Sequence, residues 1–170
     1  EIFPAAEPNL AAGASILGNW LGQPPELNNN WRSVTNIPSA WELNTETAII
    51  YPVSVGSQGV VNLRGDFDAD NGVYVWVTGE FKFGARAPGL PSPMGQFEYT
   101  NIDLGALPAG SNYIQVLRED SGISTGYQIR ITGAALTTNR EPPLITEPPF
   151  DQSVAAGSQA DLSVTATGTT

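Results

Sequence analysis

The sequence predicts an all-β fold, an antiparallel β-sandwich, on three observations. Short runs of branched and aromatic residues recur from Ser15 onward, each bounded by Gly, Pro, Asn or Asp. No window holds a helical apolar period over three turns. The third observation is the segment Gly72 to Gly84, which reads as a β-hairpin. In it Val73, Val75 and Val77 alternate with Tyr74 and Trp76, as in a strand covered on both faces. Thr78-Gly79 is a two-residue turn, and Phe81 and Phe83 alternate on the return strand.

Taken in order, residues 1–14 read as a tail or a first strand, because Pro4 and Pro8 oppose a helix. Strands are expected near 16–22, 47–55, 59–64, 73–78, 80–84, 96–104, 112–118 and 126–132. Between the first two lies a polar segment, 23–46, with Pro24, Pro25, Pro38 and the run Asn28 to Asn30. It is expected to be a long loop with a short helix near Ser39 to Leu43. Residues 15–137 thus form the sandwich. Residues 138–149 (TNREPPLITEPP) read as an extended Pro-rich linker. In residues 150–170, Ala160, Leu162, Val164 and Ala166 alternate with polar residues, which predicts one half-buried strand.

Composition narrows the function classes. The 170 residues carry a net charge of -10, with seven basic side chains against seventeen acidic ones. Such a chain repels phosphate backbones and anionic lipid, which argues against nucleic-acid partners. No apolar run is long enough for a membrane span, so membrane insertion is not expected. Cysteine and histidine are both absent, which removes disulfides, thiolate chemistry and the commonest general base. The expectation is a non-catalytic chain, secreted and extracellular or on a bacterial cell surface. Its start at Glu1 without a leader reads as a processed or excised product.

The order TAIIYPVSV, DADNGVYVWVTGE and FEYTNIDLGALPAGSNYIQVLRED resembles the galactose-binding-like jelly roll over about residues 15–135. The resemblance implies jelly-roll topology, and it occurs in accessory domains of secreted glycosidases and in bacterial surface proteins. Thr78 stands where that family usually has Asn. The motifs describe a fold and do not name a ligand. The end of the chain, PPLITEPPFDQSVAAGSQADLSVTATGTT, resembles the first strands of a bacterial Ig-like domain. Three readings of this tail stay open. The sequence is cut inside such a domain, or the tail is a strand docked on its own sandwich or donated to another chain, or it is a flexible tail.

Candidate sites follow from residue chemistry. Asp66, Asp68, Asp70 and Asn71, with Glu119 and Asp120 from another loop, could offer oxygens to calcium. The spacing is not that of an EF-hand, since Gly72 stands at the seventh position and Val77 where a Glu belongs. The competing reading is a turn at Asp70-Asn71 with solvated acids. Trp31, Trp41, Tyr74 and Trp76 could stack on sugar rings, or could simply be core and loop anchors. Arg64, Arg86, Arg118 and Arg130 are expected to pair with local acids. Gly122-Ile-Ser124-Thr-Gly126 matches a nucleophile elbow in letters only, because that motif needs a histidine base and a following helix.

Two functions are therefore expected. The first is a structural or adhesive module of a bacterial surface protein or filament, assembling with copies of itself through strand pairing and sandwich packing. The alternative is a carbohydrate-binding module that takes a surface polysaccharide, with or without calcium.

Overall fold

The computed structural model describes residues 3–31, 37–87, 92–93, 95–135, 144–147, 153, 155–159, 161 and 163–167. Contacts divide the chain into two units, Glu1–Leu136 and Thr137–Thr170.

The first unit is an all-β sandwich. In chain order its strands are β1 (Phe3–Pro4), β2 (Glu46–Val55), β3 (Val60–Ala69), β4 (Asn71–Val77), β5 (Glu80–Ala87), β6 (Tyr99–Leu107), β7 (Gly110–Glu119) and β8 (Tyr127–Ala135). One sheet has the order β1-β5-β4-β7-β2, the other β6-β3-β8. Every pairing is antiparallel. Two packed antiparallel sheets of five and three strands are compatible with a jelly roll.

The sandwich core sits between the sheets. Phe67, Leu63 and Leu104 from the smaller sheet meet Ile49, Val73, Val75, Ile114 and Val116 from the larger. The other face of the larger sheet carries a second core of Trp20, Trp31, Ile50, Tyr74, Trp76 and Leu117. This second layer explains why β4 is buried at every position: valines face one core, Tyr74 and Trp76 the other.

The β4–β5 hairpin forms as expected. Its turn residues both have positive φ, 53° at Thr78 and 84° at Gly79, the backbone of a primed turn. Buried Gln115 accepts from the Gly79 amide at 3.2 Å and donates to the Trp20 carbonyl at 3.5 Å. Glycine is required at 79 for space as well as φ, since a Cβ there would lie 2.4 Å from the Leu21 carbonyl oxygen.

Three local expectations are corrected. The strand near 16–22 does not form: Ile16 and Leu17 end the short helix α1 (Ala14–Leu17), which follows a 3-10 turn, Leu10–Gly13, and residues 18–22 are irregular. Asn9 caps the start by accepting from the Ala11 amide, and Gly18, at φ 61°, ends it. Pro4 and Pro8 lie upstream of the cap, so they do not oppose a turn that begins at Leu10. No helix forms at Ser39 to Leu43, which is bend and turn. The acidic segment 66–69 is not a loop, because β3 runs through it to Ala69.

In the second unit, β9 (Leu144–Glu147) pairs antiparallel with β10 (Thr165–Thr167). The stretch read as a linker thus contains a strand. Val164 and Ala166 fall at and in β10, whereas Ala160 and Leu162 lie outside the described residues. No helix among the described residues is long and apolar enough to cross a membrane.

Candidate functional site

The acidic residues are distributed by the period of β3. Phe67 and Ala69 point into the core, and Asp66 and Asp68 point away from it. Asp66 Oδ2 accepts from Arg130 Nε and Nη2 at 2.7 and 2.6 Å, and Asp66 Oδ1 accepts from the Asn101 amide at 2.7 Å. That amide, then the Arg130 guanidinium, holds the Asp66 carboxyl below its ordinary value. Asp68 accepts from the Ser92 amide and from Gln128. Burial nevertheless pushes Asp68 up.

Asp70, Asn71 and Asp120 form a separate buried corner. Asn71 donates to Asp70 at 2.7 Å and accepts from the Ser121 amide at 2.7 Å. Asp120 accepts from the amides of Asn44 and Gly122. Burial first, and then the nearby Asp120 charge, pushes the Asp70 carboxyl up. Glu119 pairs with Arg86 at 2.9 Å, and the same Arg86 nitrogen donates to Ser121 Oγ at 3.0 Å beside this corner. Among the described residues no group of three or more acids is arranged to hold a metal ion. The six oxygen-bearing residues thus fall into four local arrangements: Asp66 with Arg130, Asp68 with Gln128, the Asp70–Asn71–Asp120 corner, and Glu119 with Arg86.

Of the four candidate rings, three are core. Trp76 is 0% exposed and Trp31 5%. Trp76 packs edge-on against Trp20 at 5.2 Å and donates to Glu7 at 2.6 Å. Tyr74 is buried beside it, its hydroxyl 3.4 Å from Glu119. Trp41 alone is half-buried, in a strap formed by residues 37–41.

The strap lies against the β7–β8 end of the sandwich. Thr125 Oγ1 accepts from the Trp41 amide at 3.1 Å and donates to the Trp41 carbonyl at 3.2 Å. Arg118, on β7 and buried, donates to the Pro38 carbonyl at 2.6 Å. Its guanidinium carbon sits 4.2 Å from the Trp41 ring centroid and 5.1 Å from that of Tyr127. Tyr127 in turn shares a 2.9 Å hydrogen bond with Tyr51, from edge strand β2. Burial raises both phenols, so both stay neutral near pH 7.

A recess opens on each side of this strap. One, of about 520 Å³, is lined by Asn29, Asn30, Trp31, Pro38, Trp41, Glu42 and Arg118, among others. The other, of about 680 Å³, lies between β2 and β8, with Ile37, Tyr51, Phe97, Tyr127 and Ile129 in its walls. Such volumes suit a small ligand.

The sequence carries no site signal for Thr125, Tyr51 or Tyr127, and it suggests only an acid partner for Arg118. Arg64, Arg86 and Arg130 do pair with Asp103, Glu119 and Asp66. Arg118 lies 4.2 Å from the Trp41 ring centroid and 5.1 Å from that of Tyr127. The available signal for Arg118 was its position, directly after Ile114, Val116 and Leu117 in an apolar strand.

Comparison with known families, characterised proteins and solved structures gave no match.

Proposed function

We propose that the chain is a non-catalytic structural or adhesive module of an extracellular bacterial surface protein or filament, assembling with copies of itself. The reading includes the galactose-binding-like character of the sandwich and the Ig-like character of the tail. It is supported by one observation above all. In the second unit Ile145 is 61% exposed and Val164 56%. A two-stranded hairpin is marginal alone in water, and branched apolar side chains left on it favour a covering surface. A second copy supplies such a surface by strand addition or by packing its own hairpin.

The test is sedimentation velocity of the full chain over a wide concentration range, beside the double variant Ile145→Asp, Val164→Asp. The reading expects larger species that grow with concentration and are absent from the variant. A monomer throughout would overturn it.

Glycan binding is a second reading, favoured by the two recesses flanking the Trp41 strap rather than by a ring platform.

A further inference from the structure

We propose that the recess between β2 and β8 binds one neutral sugar ring. This deepens the glycan-binding reading and rests on it, and it places the site away from the rings that the sequence singled out.

The described lining of the recess contains one formally charged residue, Arg130. Its guanidinium makes two short bonds to one oxygen of Asp66 and lies 4.8 Å from the Phe97 ring centroid. That charge is neutralised in place, so neither a carboxylate nor an ammonium group gains a counter-ion here. The remaining lining is neutral and largely apolar.

The polar chemistry left is that of hydroxyls. A phenol has one proton to give and lone pairs to receive. In the Tyr51–Tyr127 pair one proton is used between the two oxygens. The second proton is not used by that bond, and among the described residues neither hydroxyl makes another. The pair therefore presents one donor together with acceptor capacity, and Ser39 adds a third hydroxyl at the rim. A ligand that both gives and accepts hydrogen bonds without charge fits this set. Gln128 is not part of it, because its amide already holds Asp68, the Gly95 amide and the carbonyls of Ser92, Pro93 and Gln96.

The walls complete the match. Phe97, Ile129 and Ile37 offer apolar surface, and a pyranose has an apolar face of C–H groups beside its hydroxyls. A neutral aromatic compound would use the walls but leave most of the hydroxyl capacity unmet.

The test follows amide shifts of the isotope-labelled full chain on adding methyl glycosides of glucose, galactose and mannose, with phenol and benzoate as controls. The proposal expects at least one glycoside to shift Tyr51, Phe97, Tyr127 and Ile129. Its affinity should fall about tenfold in Tyr51→Phe, which keeps the ring and loses the hydroxyl. Phe97→Ala, on a half-buried ring, should weaken binding similarly. Glycoside binding elsewhere, unchanged in both variants, would overturn this site and leave the glycan reading standing. No glycoside binding at all would overturn both. Preferential shifts by phenol would overturn the sugar assignment.

Discussion

The guanidinium of Arg118 lies 4.2 Å from the ring centroid of Trp41, and the same group donates to the Pro38 carbonyl at 2.6 Å. One buried cation thus fixes the strap twice, and it also lies 5.1 Å from the Tyr127 ring centroid. Arg118→Leu keeps apolar bulk but removes both contacts. We expect a loss of about 2–3 kcal/mol from the hydrogen bond and the cation–π contact together. Urea unfolding reads it, and Trp41 fluorescence should shift to the red in the folded state.

The hairpin turn carries a residue of the wrong shape. Thr78 is β-branched and held at φ 53°, a region that Asn and Gly adopt far more readily. Its hydroxyl contributes only a long bond from the Tyr113 amide, 3.4 Å. Thr78→Asn should therefore stabilise the fold by about 1 kcal/mol. Gly79→Ala should do the reverse, by about 2–3 kcal/mol, because both φ and the Leu21 carbonyl oppose a Cβ. Thermal melts of the two variants test both signs.

The acid pair at the β3–β4 corner predicts a pH dependence. Burial and the Asp120 charge raise the folded-state Asp70 value, so folding takes up a proton there. Its contribution is fully present below the ordinary carboxyl value and is lost as pH rises through the raised one. Asp70→Asn removes that loss. The variant should gain stability over the parent as pH rises above about 4, the ordinary Asp value. Asp66→Asn should behave oppositely, because its carboxyl is held low and stabilises only when ionised. Its deficit should shrink on acidification. Denaturant midpoints across the acid range check both.

Assembly should depend on salt. A net charge of -10 makes copies repel, and screening shortens that repulsion to about 8 Å at physiological ionic strength. We expect the large species to strengthen as sodium chloride is raised. Light scattering along a salt series would show it, and assembly that weakens with salt would point to ion pairs instead.

Much of the sandwich was legible because strand period and turn chemistry agree. Val73 to Val77 announces a strand covered on both faces, and Thr78-Gly79 announces its turn. The acidic segment misled because Asp66, Asp68 and Asp70 look like loop residues when counted as charges. Read as a period of two with Phe67 and Ala69, Asp66 and Asp68 alternate with core residues along β3, and Asp70 follows at the buried corner. The stretch around Ile16 misled in the other direction. Its branched and apolar residues suggest a strand, but Asn9 and Gly18 bracket a helical turn whose Leu10 and Leu17 pack on the Trp20–Trp76 layer. Three of the four ring candidates are buried, for a related reason. Aromatic residues covering a sheet and aromatic residues awaiting a sugar have the same letters, and only the fold-back of residues 5–31 distinguishes them. The strap could not be read at all, since Arg118 reaches Pro38 across a separation of 80 residues.

The central claim, that a second copy covers the β9–β10 hairpin, is tested most directly by amide hydrogen exchange at residues 144–147 and 165–167 as protein concentration is varied. The account predicts exchange that slows at these residues as concentration rises, and no such slowing in the Ile145→Asp, Val164→Asp variant. Exchange equally fast at every concentration would contradict it.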